Sequence, residues 1–346
     1  MMMIYFFMLI MTTLVAMSSN SWMIIWMMLE INLMSFIPIL LFKNKSKTTN
    51  FLFKFYLIQT ISSSTLLISI MSMWLMNSIW PMSYMCEYIS TSMMYLSMIM
   101  KMGLVPFHLW YIEFMMNITW MNFLLMSTWQ KIIPLMIISY FKINHILTLS
   151  ITLSALISSI QGMTQLNLRK IFTFSSINQT SWMTINSSMS LTMMMLYMTT
   201  YSLISFNIMY FFNMKNFSYI HQLFTMNNYS FMTKMFFMSS ILSLAGLPPF
   251  LGFILKLMSI KFLIYNKLYL ITTILMISSL MMLFFYMRLI YSSLILNFSK
   301  NKINMINMHM NNITTPKYLH QSNNYMHMLM MINMITLIMM LMLMMN

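Results

Sequence analysis

Of the 346 residues, 60% are hydrophobic and only 6% are charged, against roughly 25% charged in soluble domains, which excludes a water-soluble globular fold. The formal net charge of +15 reflects a scarcity of acids: there is no Asp, and the acidic residues are Glu30, Glu87 and Glu113, so nucleic acid is not needed to explain it. A single cysteine, Cys86, excludes an internal disulfide, a thiolate zinc site and an iron–sulfur cluster, and the four glycines, Gly103, Gly162, Gly246 and Gly252, cannot compose a G-x-G-x-x-G nucleotide loop.

The chain starts directly in apolar sequence, with no basic residue before Lys43, unlike an Arg-rich transit peptide or a signal peptide. Its 56 methionines stand where Ile or Leu would serve. They hint at an organelle genome whose code reads an additional AT-rich codon as Met; the plainer reading is flexible apolar filler. Cutting at polar clusters predicts an all-α integral membrane protein with eleven spans, at 3–18, 21–42, 51–76, 90–111, 117–140, 145–165, 171–187, 190–212, 234–260, 266–290 and 326–345. A bilayer core requires roughly 20 apolar residues per helix, and the chain offers such stretches one after another. The longer polar connections lie at 77–89, 213–233 and 297–325, and no soluble domain fits between the spans.

Eleven spans put the N-terminus and the even-numbered connections on one side. That side holds Lys43, Lys45, Lys47, Lys54, Arg169, Lys170, Lys215, Lys234, Lys300, Lys302 and Lys317, against Lys142, Lys261 and Lys267 on the other. The positive-inside rule then places the N-terminus in the matrix or cytoplasm and the C-terminus opposite.

Two spans carry sequences that break a helix, Lys101-Met-Gly-Leu-Val-Pro106 in the fourth and Gly246-Leu-Pro-Pro-Phe-Leu-Gly252 in the ninth. If residues 1–140 and 145–290 are two five-helix units, each has its break in its fourth helix. The second unit enters the membrane inverted, because five is odd. This is the inverted-repeat plan of transporters with discontinuous helices; two coincident proline kinks are the alternative. Lys101 and Lys131 lie near mid-span, and Lys256 follows the second break. An intramembrane charge is costly and marks function, unless the long stem carries its ammonium to the interface. Glu30 lies mid-span too, and a Lys partner would offset the cost of its carboxylate; such a pair is either structural or part of a proton path. His108, just after the first break, is a further candidate proton carrier. Glu87 and Glu113 read as connection residues, and Arg169 and Lys170 as headgroup anchors. No Ser-His-Asp or His-Glu-x-x-His arrangement is present.

The segments Leu29-Glu-Ile-Asn-Leu-Met-Ser-Phe-Ile-Pro38, Lys101-Met-Gly-Leu-Val-Pro-Phe-His-Leu-Trp110, Thr128-Trp-Gln-Lys-Ile-Ile-Pro134, Leu168-Arg-Lys170 with Ser175-Ser-Ile177, and Gly246-Leu-Pro-Pro-Phe-Leu-Gly-Phe253 with Lys256 resemble the chain 2 subunits of mitochondrial NADH:ubiquinone oxidoreductase (respiratory complex I), in the eleven-helix, insect-like form. The region 297–325 and the last span match only in character. The resemblance implies an antiporter-like subunit of the membrane arm in the inner mitochondrial membrane, beside other membrane-arm subunits, neighbouring antiporter-like chains and lipid. It maps a membrane-embedded Glu and a row of Lys onto Glu30, Lys101, Lys131 and Lys256, which would relay protons when quinone reduction elsewhere drives the arm. NADH, FMN, iron–sulfur clusters and ubiquinone would belong to other subunits, leaving this chain without a cofactor, a metal or a nucleic-acid partner. Two positions depart from the relatives' pattern: Gln179 stands where they often have His, which removes that His as a proton carrier, and Ile112 where they usually have Pro. A stand-alone proton/cation antiporter and a passive assembly scaffold are the competing readings; the scarcity of carboxylates speaks against a sodium site, and the cost of intramembrane lysines against the scaffold.

Overall fold

A computed structural model describes residues 2–41, 49–79, 84–228, 231–248 and 250–294. The expected last span at 326–345, the connection 297–325, and Lys43, Lys45, Lys47, Lys300, Lys302 and Lys317 lie outside the described residues. The described residues form helices α1 (Met2–Ser18), α2 (Trp22–Leu41), α3 (Thr49–Ile79), α4 (Tyr84–Met102), α5 (Leu109–Asn117), α6 (Trp120–Ser127), α7 (Ile132–Ser139), α8 (His145–Thr164), α9 (Leu168–Met189), α10 (Leu191–Lys215), α11 (Phe231–Ala245), α12 (Leu251–Tyr265) and α13 (Tyr269–Leu294). Two 3₁₀ turns, Trp129–Lys131 and Ile220–Asn228, join them. The isolated bridge between Asn167 and Tyr219 is the only β pairing among the described residues.

Among the described residues, five stretches are long and apolar enough to cross a bilayer: Trp22–Leu41, Asn50–Leu75, Trp120–Ser139, His145–Thr164 and Tyr269–Ser292. Within a hydrocarbon layer every backbone N–H and C=O must find a partner inside the protein, which is why such a composition folds as helices. The outer helices keep apolar side chains outward, as with Ile4, Phe7, Met11 and Leu14 on α1 and Leu270, Ile277, Leu280 and Phe284 on α13. Helix α9 is the reverse. Ten of its fifteen residues from 173 to 187 are Ser, Thr, Asn or Gln, yet all ten are buried. It packs against α5, α7, α8, α10, α12 and α13, and most of its hydroxyls are satisfied by the carbonyl one turn back, as in Ser175 to Phe172, Ser176 to Thr173 and Thr180 to Ile177.

Contacts near the helix ends sort into two ends of the bundle. At one end Lys54 meets Glu113 at 3.0 Å, Arg169 Nη1 donates to the Met116 carbonyl at 2.7 Å, and Trp120 Nε1 to the Phe217 carbonyl at 3.1 Å. Arg288 reaches the Met163 and Gln165 carbonyls at 2.9 and 2.5 Å. At the other end Trp22 packs on Tyr140 and Phe141, Tyr95 donates to the Lys142 carbonyl, and Asn266 Nδ2 lies 3.1 Å from Met189 Sδ. Arg288 is therefore the clamp on the last carbonyls of α8, which no residue of that helix can satisfy. Arg288→Leu is expected to cost about 1–3 kcal/mol through the orphaned acceptors, seen as a lower midpoint in thermal denaturation of the purified assembly; an unchanged midpoint would mean that solvent serves those carbonyls instead.

One expected span is refined and two local expectations are corrected. The span expected at 117–140 is met by Trp120–Ser139 but is interrupted: α6 stops at Ser127, Trp129–Lys131 forms a 3₁₀ turn, and α7 begins at Ile132. Pro134 explains this, since it has no N–H for the carbonyl four residues back and its ring crowds that carbonyl. The Thr128 hydroxyl meanwhile occupies the Leu124 carbonyl at 2.7 Å. Glu87 and Glu113 lie within α4 and α5 rather than in connections, both exposed. Arg169 turns inward, onto the Met116 carbonyl and 5.5 Å over the Trp120 ring, instead of outward to headgroups.

Candidate functional site

Helix α4 ends where Gly103 adopts φ +71°. The amides of Gly103 and Leu104 both return to the Ile99 carbonyl, at 3.1 Å each, the closure that a left-handed residue permits. Chain then runs unwound to His108, and Lys101 sits two residues before the glycine, 7% exposed. Helix α11 ends in the same way. Gly246 takes φ +82°, and the amides of Gly246 and Leu247 return to the Leu242 carbonyl at 3.0 and 3.3 Å. Lys256, from α12, lies over this end and is 7% exposed; its Nζ donates to the Ala245 carbonyl at 2.8 Å. A carbonyl at a helix C-terminus has no intrahelical donor and carries the negative end of the dipole, so it suits an ammonium.

Lys131 closes the 3₁₀ turn between α6 and α7 and is 2% exposed. Its Nζ makes no hydrogen bond to a described residue and lies 4.6 Å over the ring of Tyr111. Around the three lysines runs a seam of neutral polar groups. Gln59 Nε2 donates to the Lys101 carbonyl at 3.3 Å, and Gln130 Nε2 to Asn32 Oδ1 at 3.2 Å. A cavity of about 20 Å³ lies among Gln59, Lys101, Gln130, Leu29 and Pro134, and a space of roughly 10–15 Å³ admits one water. Tyr111 Oη and Ser176 Oγ stand 3.0 Å apart. Farther along, Tyr197 donates to Gln179 Oε1 at 2.5 Å, and Gln179 Nε2 donates to the Leu244 carbonyl at 3.3 Å. A second cavity, of about 10 Å³, lies among Gln179, Tyr197, Tyr201, Ser243 and Lys256.

Of the sequence-derived candidates, Lys101, Lys131 and Lys256 are thus buried on different elements beside these polar groups. Glu30, half-buried on α2, makes no ion pair with Lys101. His108 is half-buried at the start of α5, with Nδ1 3.3 Å from the Pro106 carbonyl and Nε2 without a partner. Ile112 donates its amide to the His108 carbonyl at 3.2 Å, a bond that proline at this position could not make. Tyr111, Gln59 and Tyr197 were not singled out from sequence, and Asn32 and Ser176 stood within quoted motifs without a role of their own. Neutral polar residues are common along the spans, and only the packing shows which of them meet the lysines. Among the described residues no group of three or more His, Cys, Asp or Glu gathers that could hold a metal.

Residues 19–282 match the family described as NADH:quinone oxidoreductase/Mrp antiporter, TM. The chain is similar to the NADH-ubiquinone oxidoreductase chain 2 of Anopheles gambiae, 40% identical over 300 residues covering 86% of this chain and 87% of the relative. It is also similar to that of Locusta migratoria, 34% identical over 294 residues covering 85% of each. Among solved structures its fold is similar to a chain of respiratory complex I from Thermus thermophilus with bound aureothin, at TM-score 0.74 and 16% identity, covering 82% of this chain and 68% of that one. A chain of the archaeal membrane-bound sulfane sulfur reductase, a respiratory membrane complex, superposes at TM-score 0.79 and 14% identity, covering 96% and 72%.

Proposed function

The chain belongs to the NADH-ubiquinone oxidoreductase chain 2 family, and from that premise we propose that its buried lysines form the proton relay of an antiporter-like module in the membrane arm of the proton-pumping complex. The observation that carries this reading is the placement of three lysines, Lys101, Lys131 and Lys256, at 7%, 2% and 7% exposure along one polar seam. A buried ammonium is expensive in a membrane interior. Retaining three along one seam makes sense where protons must be held and released. Glu30 sets the charge at the Lys101 end, and His108 is a further carrier. Moving or neutralising the Glu30 carboxylate changes how strongly Lys101 holds its proton, so the relay responds to events elsewhere in the arm. NADH, FMN, iron–sulfur clusters and ubiquinone belong to other subunits, and this chain contributes no redox centre.

The architecture in this reading is eleven transmembrane helices. Residues 1–140 and 145–290 form two inverted five-helix repeats with discontinuous fourth and ninth helices, and 326–345 the final helix. Support comes from the matched ends of α4 and α11, where Gly103-Leu-Val-Pro106 and Gly246-Leu-Pro-Pro close on the same backbone pattern. The chain lies in the inner mitochondrial membrane with its basic end, and so its N-terminus, on the matrix side, contacting neighbouring membrane-arm subunits, including antiporter-like chains, and lipid.

Where relatives often have His, Gln179 cannot take up a proton, but it bridges Tyr197 to the α11 end that also holds Lys256. Gln179→Leu orphans a buried hydroxyl and a carbonyl, and is expected to slow coupled turnover about tenfold, each lost bond being worth about 1–3 kcal/mol; wild-type turnover in the assembled complex would take Gln179 out of the path. The reading as a whole is tested by Lys131→Met in purified, reconstituted complex, with NADH oxidation and proton uptake measured together. Loss of coupled turnover in assembled complex supports it, and wild-type rates replace the relay by a scaffold.

A further inference from the structure

Lys131 differs from the other two buried lysines in how it is held. Lys256 donates to a backbone carbonyl at 2.8 Å, and Lys101 lines the cavity it shares with Gln59 and Gln130. Lys131 has neither kind of setting among the described residues: its Nζ makes no hydrogen bond to them, and its nearest charge-complementary surface is the face of Tyr111, 4.6 Å from the ammonium. A cation over an aromatic face is drawn to the ring quadrupole, most strongly where water is excluded, and both residues here are buried, at 2% and 0% exposure.

Tyr111 is fixed at three points. Its hydroxyl meets Ser176 of α9 at 3.0 Å. Its ring crosses that of Trp110 edge-on at 5.7 Å. Its Cβ sits against Gly103 so closely that a Cβ on that glycine would lie 2.6 Å away. Gly103 is thus needed twice, for φ +71° and for contact. The tyrosine stands three residues beyond the unwound segment whose other end follows Lys101, so one side chain touches the end of α4, the central helix α9 and the Lys131 ammonium.

We infer that Tyr111 is the positioning residue of Lys131, its ring holding the ammonium and its seat on Gly103 tying that hold to the unwound segment 103–108. The inference rests on the relay reading of Lys131 and deepens it. A shift of the unwound segment moves the ring under the ammonium, and with it the cost of keeping that charge buried. The division of labour within the side chain is specific: the ring is required for Lys131, while the hydroxyl serves to anchor the ring to Ser176.

The test compares Tyr111→Leu, Tyr111→Phe and Lys131→Met in assembled, reconstituted complex, with NADH oxidation and proton uptake normalised to the amount of complex. Tyr111→Leu is expected to lower coupled proton uptake about tenfold or more, as removal of a desolvated cation–π contact implies. Tyr111→Phe is expected to restore it to within about twofold, since the ring remains. Loss in both variants overturns the ring assignment in favour of the hydroxyl. If Tyr111→Leu only reduces the yield of complex, with wild-type turnover in what assembles, Tyr111 is merely structural and the inference fails. Lys131→Met separates this from the broader reading: its own silence sinks the relay, whereas its loss beside a silent Tyr111→Leu sinks only the role of Tyr111.

Discussion

Lys131→Met is expected to leave the complex assembled while stopping most of its coupled proton transfer. Met nearly matches the lysine stem in length and fills irregular apolar space readily, so Tyr111, which lies against the Lys131 ammonium, need not move. The change also removes a charge that costs a few kcal/mol at mid-membrane, so stability should hold or rise. What is lost is the only site in the stretch from α6 through α7 able to bind and release a proton, since the residues from 120 to 139 contain no other titratable side chain. A scaffold would gain from the substitution; a relay cannot survive it. Proton uptake per NADH oxidised, and the rate of NADH oxidation itself, distinguish these outcomes, because a tightly coupled machine slows when one of its proton steps is blocked.

The second large effect is structural. At Gly252, near the start of α12, a Cβ would lie 1.8 Å from the Ser243 carbonyl oxygen of α11, well inside contact distance and against backbone rather than a flexible side chain. Alanine inside a helix normally stabilises relative to glycine by about 0.5–1 kcal/mol, so any loss in Gly252→Ala must come from forcing α11 and α12 apart. We expect that loss to exceed about 4 kcal/mol and to leave little assembled complex on a native gel. Gly162→Ala is the control. There a Cβ would approach a Phe285 ring carbon at 3.0 Å, a side chain that can give way, and near-normal assembly is expected. Equal assembly of both variants would refute the close approach of α11 and α12.

The membrane class, the all-helical build and the burial of Lys101 and Lys131 were legible in the sequence because each rests on a large energy. Apolar stretches must be shielded from water, Gly-Leu-x-Pro cannot continue a helix, and an intramembrane charge stands out against apolar neighbours. The turn at Lys131 was less visible. Pro134 was in view, but the adjustment it imposes four residues earlier depends on what Thr128 and Leu124 do locally. Tyr111 was invisible for another reason. Aromatic residues make up 15% of the chain, and only the seat on Gly103 and the contact with Lys131 set this one apart. The lysine partner expected for Glu30 is not met by direct contact: the carboxylate makes no ion pair with Lys101, and sequence spacing alone cannot fix which side chains two packed helices bring within reach.

Helix α9 also bears on biogenesis. A segment in which ten of fifteen residues are Ser, Thr, Asn or Gln gains little by leaving water alone, so an insertion machine that samples segments one at a time would release it poorly into lipid. Its connection to α10 is a single residue, Ser190, and α8 precedes it by a short link. The sequence is therefore suited to entering the bilayer as a hairpin or triplet, with α8 and α10 supplying the apolar drive and α9 carried between them. Helices α5, α7, α12 and α13 would then close over its polar surface, making α9 the last part of the bundle to be sheltered from lipid although it ends at the centre.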